Sequence, residues 1–190
     1  TALANSAVYV TPTLSAGTYT YYVENAACTF SAALARVAIT LTVNSNPTLS
    51  VSNGTVCSGQ SFTLNPSGAT TYSYSGGVAV VNPVSSTVYT ISGTTNGCTK
   101  TTTASVFVNP LPVITIASGS ICSGQSFSLS PSGASTYTVS GGSVVVAPIS
   151  TTNYTVTGTS GAGCISSQPA IATVVVHQGP AISVANGVIW

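Results

Sequence analysis

The stretch GTVCSGQSFTLNPSGA at residues 54–69 returns without a gap, 65 residues later, as GSICSGQSFSLSPSGA at residues 119–134. The register continues through Tyr72/Tyr137, Gly76-Gly77/Gly141-Gly142, Pro83/Pro148, Tyr89/Tyr154 and Gly93/Gly158. Only the second cysteine slips by one residue, from Cys98 to Cys164, where Gly161-Ala162-Gly163 lengthens a turn. A period this long means one small domain per repeat. Within each repeat, short runs rich in β-branched or aromatic residues alternate with turn signals. In the first repeat the runs are Ser61 to Leu64, Thr71 to Tyr74, Val78 to Val81, Thr87 to Ile91 and Thr103 to Val108. Pro-Ser-Gly, Ser-Gly-Gly, Asn-Pro and Asn-Gly stand between them. No stretch keeps a helical apolar period beyond one turn. The expected fold is all-β, with tandem small β-sandwiches of the Ig-like kind, each closed by one disulfide.

The rest of the chain holds pieces of the same unit. Tyr19 stands nine residues before Cys28, as Tyr89 does before Cys98, and Val37 to Val43 matches the last strand around Ala104 to Val108. Residues 1–45 therefore read as the back half of a domain, 46–110 and 111–178 as complete repeats. Residues 179–190 read as the first strand of a following domain or a donor strand. In that tail Ala181 to Trp190 aligns with Thr48 to Cys57, so Trp190 takes the place of a cysteine.

Charge restricts function severely. Charged residues are 2% of the 190, against a typical share of about 25%. Glu24 is the sole acid, Arg36 and Lys100 the sole strong bases, and His177 the sole histidine. Paired-carboxylate chemistry, a Ser-His-Asp triad, a carboxylate-lined cation site and a phosphate-neutralising patch all lack their residues. No catalytic residue, metal, cofactor or nucleic-acid partner is expected. Disorder is also excluded, because disordered chains join low hydrophobicity to high charge. Mean hydropathy is +0.49, yet no run of about 20 apolar residues exists to span a membrane as a helix. A transmembrane β-barrel would be expected to carry charged lumen residues and aromatic girdles.

Four of the five cysteines occupy matching repeat positions, Cys57 and Cys98 in one and Cys122 and Cys164 in the other. The simplest connectivity is one bridge per repeat, Cys57–Cys98 and Cys122–Cys164, tying the first loop to the last at one pole. Such a loop is worth about 4 kcal/mol in the chain-entropy model, help that a small core needs. No CxxC spacing supports a metal site instead, so the cysteines point to an oxidising, extracytoplasmic location. Cys28 is left over. Its partner lies upstream in a longer protein, or the incomplete unit accepts another copy's tail in strand complementation, with Val184, Val188, Ile189 and Trp190 entering its core.

The run VCSGQSFTL from Val56, with SGATTY after it and TVYTISGT and NGC later, resembles the tandem Ig-like and PKD-like repeats of very large secreted surface proteins of Bacteroidota, gliding and adhesion proteins among them. TPTLSAGTYTYYVE at residues 11–24 resembles the back half of another such repeat. The resemblance implies an Ig-like sandwich, export through the type IX pathway and a stalk or adhesin role, and it transfers no catalytic residue. Such modules often carry a core Trp in an early strand. Tyr74 and the Val139 region stand in that neighbourhood here.

The remaining polar residues have plain readings. His177 reads as a strand-end residue and Lys100 as a solvated strand residue, since an isopeptide would need an acidic catalyst that the repeats lack. Asn53 and Asn153 begin Asn-x-Thr sequences, a weak glycosylation signal. The tyrosines at matching repeat positions read as packing residues rather than a sugar-stacking face. The leading function is an extracellular structural protein, a subunit or section of a cell-surface filament or stalk that self-associates and could carry sugar on Ser and Thr. The alternative is an adhesin or glycan-binding array of the same modules.

Overall fold

The computed structural model describes residues 12–23 and 37–183. The described residues fall into two compact units, one of residues 12–23, 37–52, 63–80 and 88–104, the other of residues 53–62, 81–87 and 105–183. All regular structure in the described residues is β. The first hairpin pairs β1 (Gly17–Val23) with β2 (Val37–Val43), antiparallel from Gly17↔Val43 to Val23↔Val37.

The first repeat contributes β3 (Gly54–Cys57), β4 (Phe62–Thr63), β5 (Thr71–Tyr74), β6 (Val80–Val81), β7 (Thr87–Thr95) and β8 (Cys98–Asn109). The second contributes β9 (Gly119–Cys122), β10 (Phe127–Ser128), β11 (Thr136–Val139), β12 (Val145–Val146), β13 (Thr152–Thr159) and β14 (Ala170–His177). Each repeat builds one four-stranded sheet, β3-β8-β7-β5 or β9-β14-β13-β11, and one two-stranded sheet, β4-β6 or β10-β12. The repeat in sequence is thus a repeat in topology.

Period-two patterning fixes the faces. In β13 the side chains of Tyr154 and Val156 turn inward while Asn153 and Thr155 face solvent, and in β14 Ala172 and Val174 are buried. The core of the second unit gathers Ile114, Leu129, Val139, Val156, Ala172 and Val174. Phe127 and Val146 pack against it from the two-stranded sheet, and Tyr137 and Tyr154 from the four-stranded one. Two sheets sharing one apolar core make a sandwich. In the first repeat the matching residues Leu64, Val81, Ile91, Ala104 and Val106 are buried as well.

The quoted motif follows from this packing. An ideal Cβ on Gly119 would stand 2.2 Å from the Phe127 ring, and one on Gly54 would stand 2.0 Å from the Phe62 ring. The glycine eight residues before each phenylalanine leaves room for the ring to reach the core. Tyr137 closes the next turn, its hydroxyl donating to Ala134 O at 2.8 Å and accepting from Ala134 N at 2.9 Å. Tyr137→Phe therefore strands a half-buried N–H and is expected to cost about 1 kcal/mol, read as a lower urea midpoint with an unchanged slope.

Candidate functional site

The one covalent cross-link among the described residues joins Cys57 to Cys164, 107 residues apart in sequence, with a Cα–Cα distance of 5.6 Å. It connects one sequence repeat to the next, and both ends lie in the second compact unit. Cys57 ends β3, which runs parallel to β8 in the register Gly54↔Val106 to Cys57↔Asn109. The chain then turns through Ser58 and Gly59, with Gln60 N donating to Cys57 O at 2.9 Å. Gly59 has φ +78° at the third position of this turn, where an L side chain is disfavoured. Ser58 N donates to Asn109 O at 2.9 Å, Gly59 N to Pro83 O at 3.0 Å, and Asn82 Nδ2 to Gly59 O at 3.4 Å. The loop that carries Cys57 is therefore held on several sides.

Cys164 sits in the connection between β13 and β14 and is 1% exposed. Ser160 organises this turn. Its N–H donates to Cys164 O at 2.8 Å, its carbonyl accepts from Gly163 N at 2.9 Å, and its Oγ accepts from Cys164 N at 3.2 Å. A bridge between Thr159 and Ile165 closes the base. The matching connection of the first repeat is shorter. Asn96 and Gly97, with φ +49° and +79°, make a two-residue hairpin turn between β7 and β8.

This arrangement corrects the expected pairings. Cys57–Cys98 and Cys122–Cys164 do not form; Cys98 and Cys122 are free thiols, the first half-buried and the second exposed. The cause is strand direction. Cys57 lies opposite Asn109 at the far end of β8, whereas Cys98 begins that strand. Eleven residues of β-strand span about 36 Å, while a disulfide needs Cα atoms within about 7 Å. In the second repeat Cys122 lies opposite His177, the last residue of β14. Cys164 precedes Ala170, and the strand between Ala170 and His177 alone covers about 23 Å. The two cysteines of one repeat stand at opposite poles. The expectation that both cysteines of a repeat share one pole failed because β3 and β9 run parallel to the last strand of their repeat.

The other singled-out residues take structural places. Lys100 is exposed on β8, and His177 is exposed at the end of β14, where its carbonyl accepts from Ser123 N at 3.0 Å. Asn53 Oδ1 accepts from Ser105 N at 2.8 Å, and Asn153 Oδ1 accepts from Thr173 Oγ1 at 2.8 Å, so both amides tie neighbouring strands. Cys28, Val184, Val188, Ile189 and Trp190 fall outside the described residues. An open depression of about 350 Å³ is lined by Thr115, Ile116, Ala117, Ser130 and Ser132, none of them ionisable. Among the described residues no three His, Cys, Asp or Glu side chains come together as a metal site would require. No helix among them is long and apolar enough to cross a membrane.

A four-stranded sheet over a two-stranded one, with the first strand parallel to the last, recurs in both repeats. Each repeat is an Ig-like β-sandwich. No family model and no curated protein matches the chain. Solved structures do. The titin domains Z1Z2 in complex with telethonin share 14% identity over 73% of this chain and 100% of that one, with a TM-score of 0.31. A three-Ig structure of titin shares 12% over 85% and 75%, with a TM-score of 0.36. Human protocadherin-24 EC1-2 shares 15% over 72% and 100%, with a TM-score of 0.33.

Proposed function

We propose that this chain is a section of an extracellular filament or stalk, built from Ig-like modules and assembled by self-association. The observation that carries the reading is the Cys57–Cys164 bond, which fastens consecutive repeats to each other rather than closing each upon itself. A cross-link of that kind resists extension of an array and persists in an oxidising compartment. The surface supports the same reading. Val113, Ile149 and Ile182 are 79%, 78% and 87% exposed, and on the β1–β2 hairpin Tyr22, Val37, Ile39 and Leu41 are exposed too. With charged residues at 2% of the chain, little repulsion keeps such faces apart, and near-zero net charge promotes association. Strand complementation by residues 179–190 is one way for copies to join, and sugar on exposed Ser and Thr would supply solubility.

Polymerisation of the purified chain, followed by light scattering and electron microscopy, tests this function. Assembly driven by apolar and backbone contacts is expected to change by less than about twofold between 50 and 500 mM NaCl, because few charges are there to be screened. An extended monomer that stays unassembled and binds polysaccharide would replace the filament reading with that of an adhesin module.

A further inference from the structure

Each repeat offers two cysteine positions of different kind. Cys57 and Cys122 end the strand that lies parallel to the last one, opposite Asn109 and His177. Both lead into the same Ser-Gly-Gln turn, with Gln60 N donating to Cys57 O at 2.9 Å and Gln125 N to Cys122 O at 3.0 Å. Ser58 N and Ser123 N anchor that turn alike, on Asn109 O at 2.9 Å and His177 O at 3.0 Å. Cys98 and Cys164 belong to the other pole, at the connection between the last two strands. The observed bond takes one cysteine of each kind, the first-position Cys57 with the second-position Cys164 of the following repeat. One of each kind is left over, Cys122 exposed and Cys98 half-buried.

We propose that Cys122 of one copy and Cys98 of a second copy form the bond that Cys57 and Cys164 form within the chain, linking copies head to tail. The two positions differ, so the contact is heterologous and repeats in one direction instead of closing into a pair. The Cys122 turn is already built as the bonded Cys57 turn is. Cys98 gives up only a long contact, its Sγ donating to Asn44 O at 3.7 Å. Oxidised glutathione supplies the oxidising equivalent. The Cys122 thiolate attacks one glutathione sulfur and expels a glutathione thiolate. The Cys98 thiolate then attacks the Cys122 sulfur of the mixed disulfide and expels the second. Two protein thiols become one disulfide, and their protons end on two molecules of reduced glutathione.

The inference rests on the self-association proposed above, in that copies must meet. Its test uses the full chain carrying Cys28→Ser, incubated with oxidised glutathione and resolved by non-reducing electrophoresis with mapping of linked peptides. A ladder beyond the dimer is expected, with a Cys98–Cys122 peptide in every rung. Either Cys98→Ser or Cys122→Ser added to that chain is expected to abolish the ladder. Dimers that stop at Cys122–Cys122, or an intact Cys57–Cys164 bond with no ladder, would overturn the linkage. Light scattering on the same samples separates the two ideas. Scattering without a ladder removes the linkage and leaves the filament standing, and the absence of both removes the self-association on which the linkage rests.

Discussion

Cys57→Ser and Cys164→Ser each lower the unfolding midpoint of the oxidised chain by about 10 °C or more, whereas Cys98→Ser and Cys122→Ser leave it nearly unchanged. The bond closes a loop of 107 residues, and a loop near 100 residues is worth about 4.7 kcal/mol in the chain-entropy model. For a chain of this length each kcal/mol shifts the midpoint by about 2–4 °C. Cys164→Ser is the worse of the two, because Cys164 is 1% exposed and the serine hydroxyl takes its buried place. The double variant is expected to match Cys164→Ser closely, since the cross-link is lost only once. Circular dichroism melts of the four single variants, without reductant, give the comparison. One bridge inside each repeat would make all four equally harmful, so a Cys98→Ser melt as low as that of Cys57→Ser would contradict the inter-repeat bond.

Why the fold was legible in the sequence and the pairing was not comes down to local against non-local information. The repeat at residues 54–69 and 119–134 carries turn residues, alternation and core positions, all of which act within a few residues. Val156 and Val174 are buried as strand alternation requires, and the Asn96-Gly97 turn falls where the dipeptide announces it. Which pole a cysteine occupies depends on the direction of a partner strand about 50 residues away. A cysteine before Ser-Gly-Gln looks the same at either pole. The parallel register Cys57↔Asn109 settles it, and nothing near Cys57 in sequence encodes that register. The strand ends show the same limit. The composition of the first repeat ends the strand at Ile91, yet β7 continues to Thr95. Gly93 stays in the strand because it pairs with Tyr72 on β5. It is glycine because a Cβ there would meet the Leu49 side chain at 2.5 Å and Ala69 at 2.8 Å, contacts made by residues from elsewhere in the chain.

Gly133→Ala carries the second large effect, expected at about 3–5 kcal/mol. Gly133 has φ +100°, outside the region that L residues favour, and an added Cβ would stand 2.0 Å from Val113 O. That carbonyl cannot retreat freely. Its neighbour Thr115 is bridged to Ser132, with Ser132 N donating to Thr115 O at 2.9 Å, Thr115 N to Ser132 O at 3.1 Å, and the two hydroxyls 2.7 Å apart. Moving either segment breaks this bridge and disturbs Ile114, which belongs to the core. The first repeat holds the same device, since a Cβ added to Gly68, at φ +97°, would run into Thr48 O beside a Ser50–Ser67 bridge. Gly142→Ala isolates the conformational share, because Gly142 has φ +79° with nothing within 4 Å of an added Cβ. Its expected cost is about 1–2 kcal/mol. Urea unfolding of the two variants side by side reads the difference. Equal losses would mean that the close approach to Val113 contributes nothing and that backbone conformation alone explains the Pro-Ser-Gly turn.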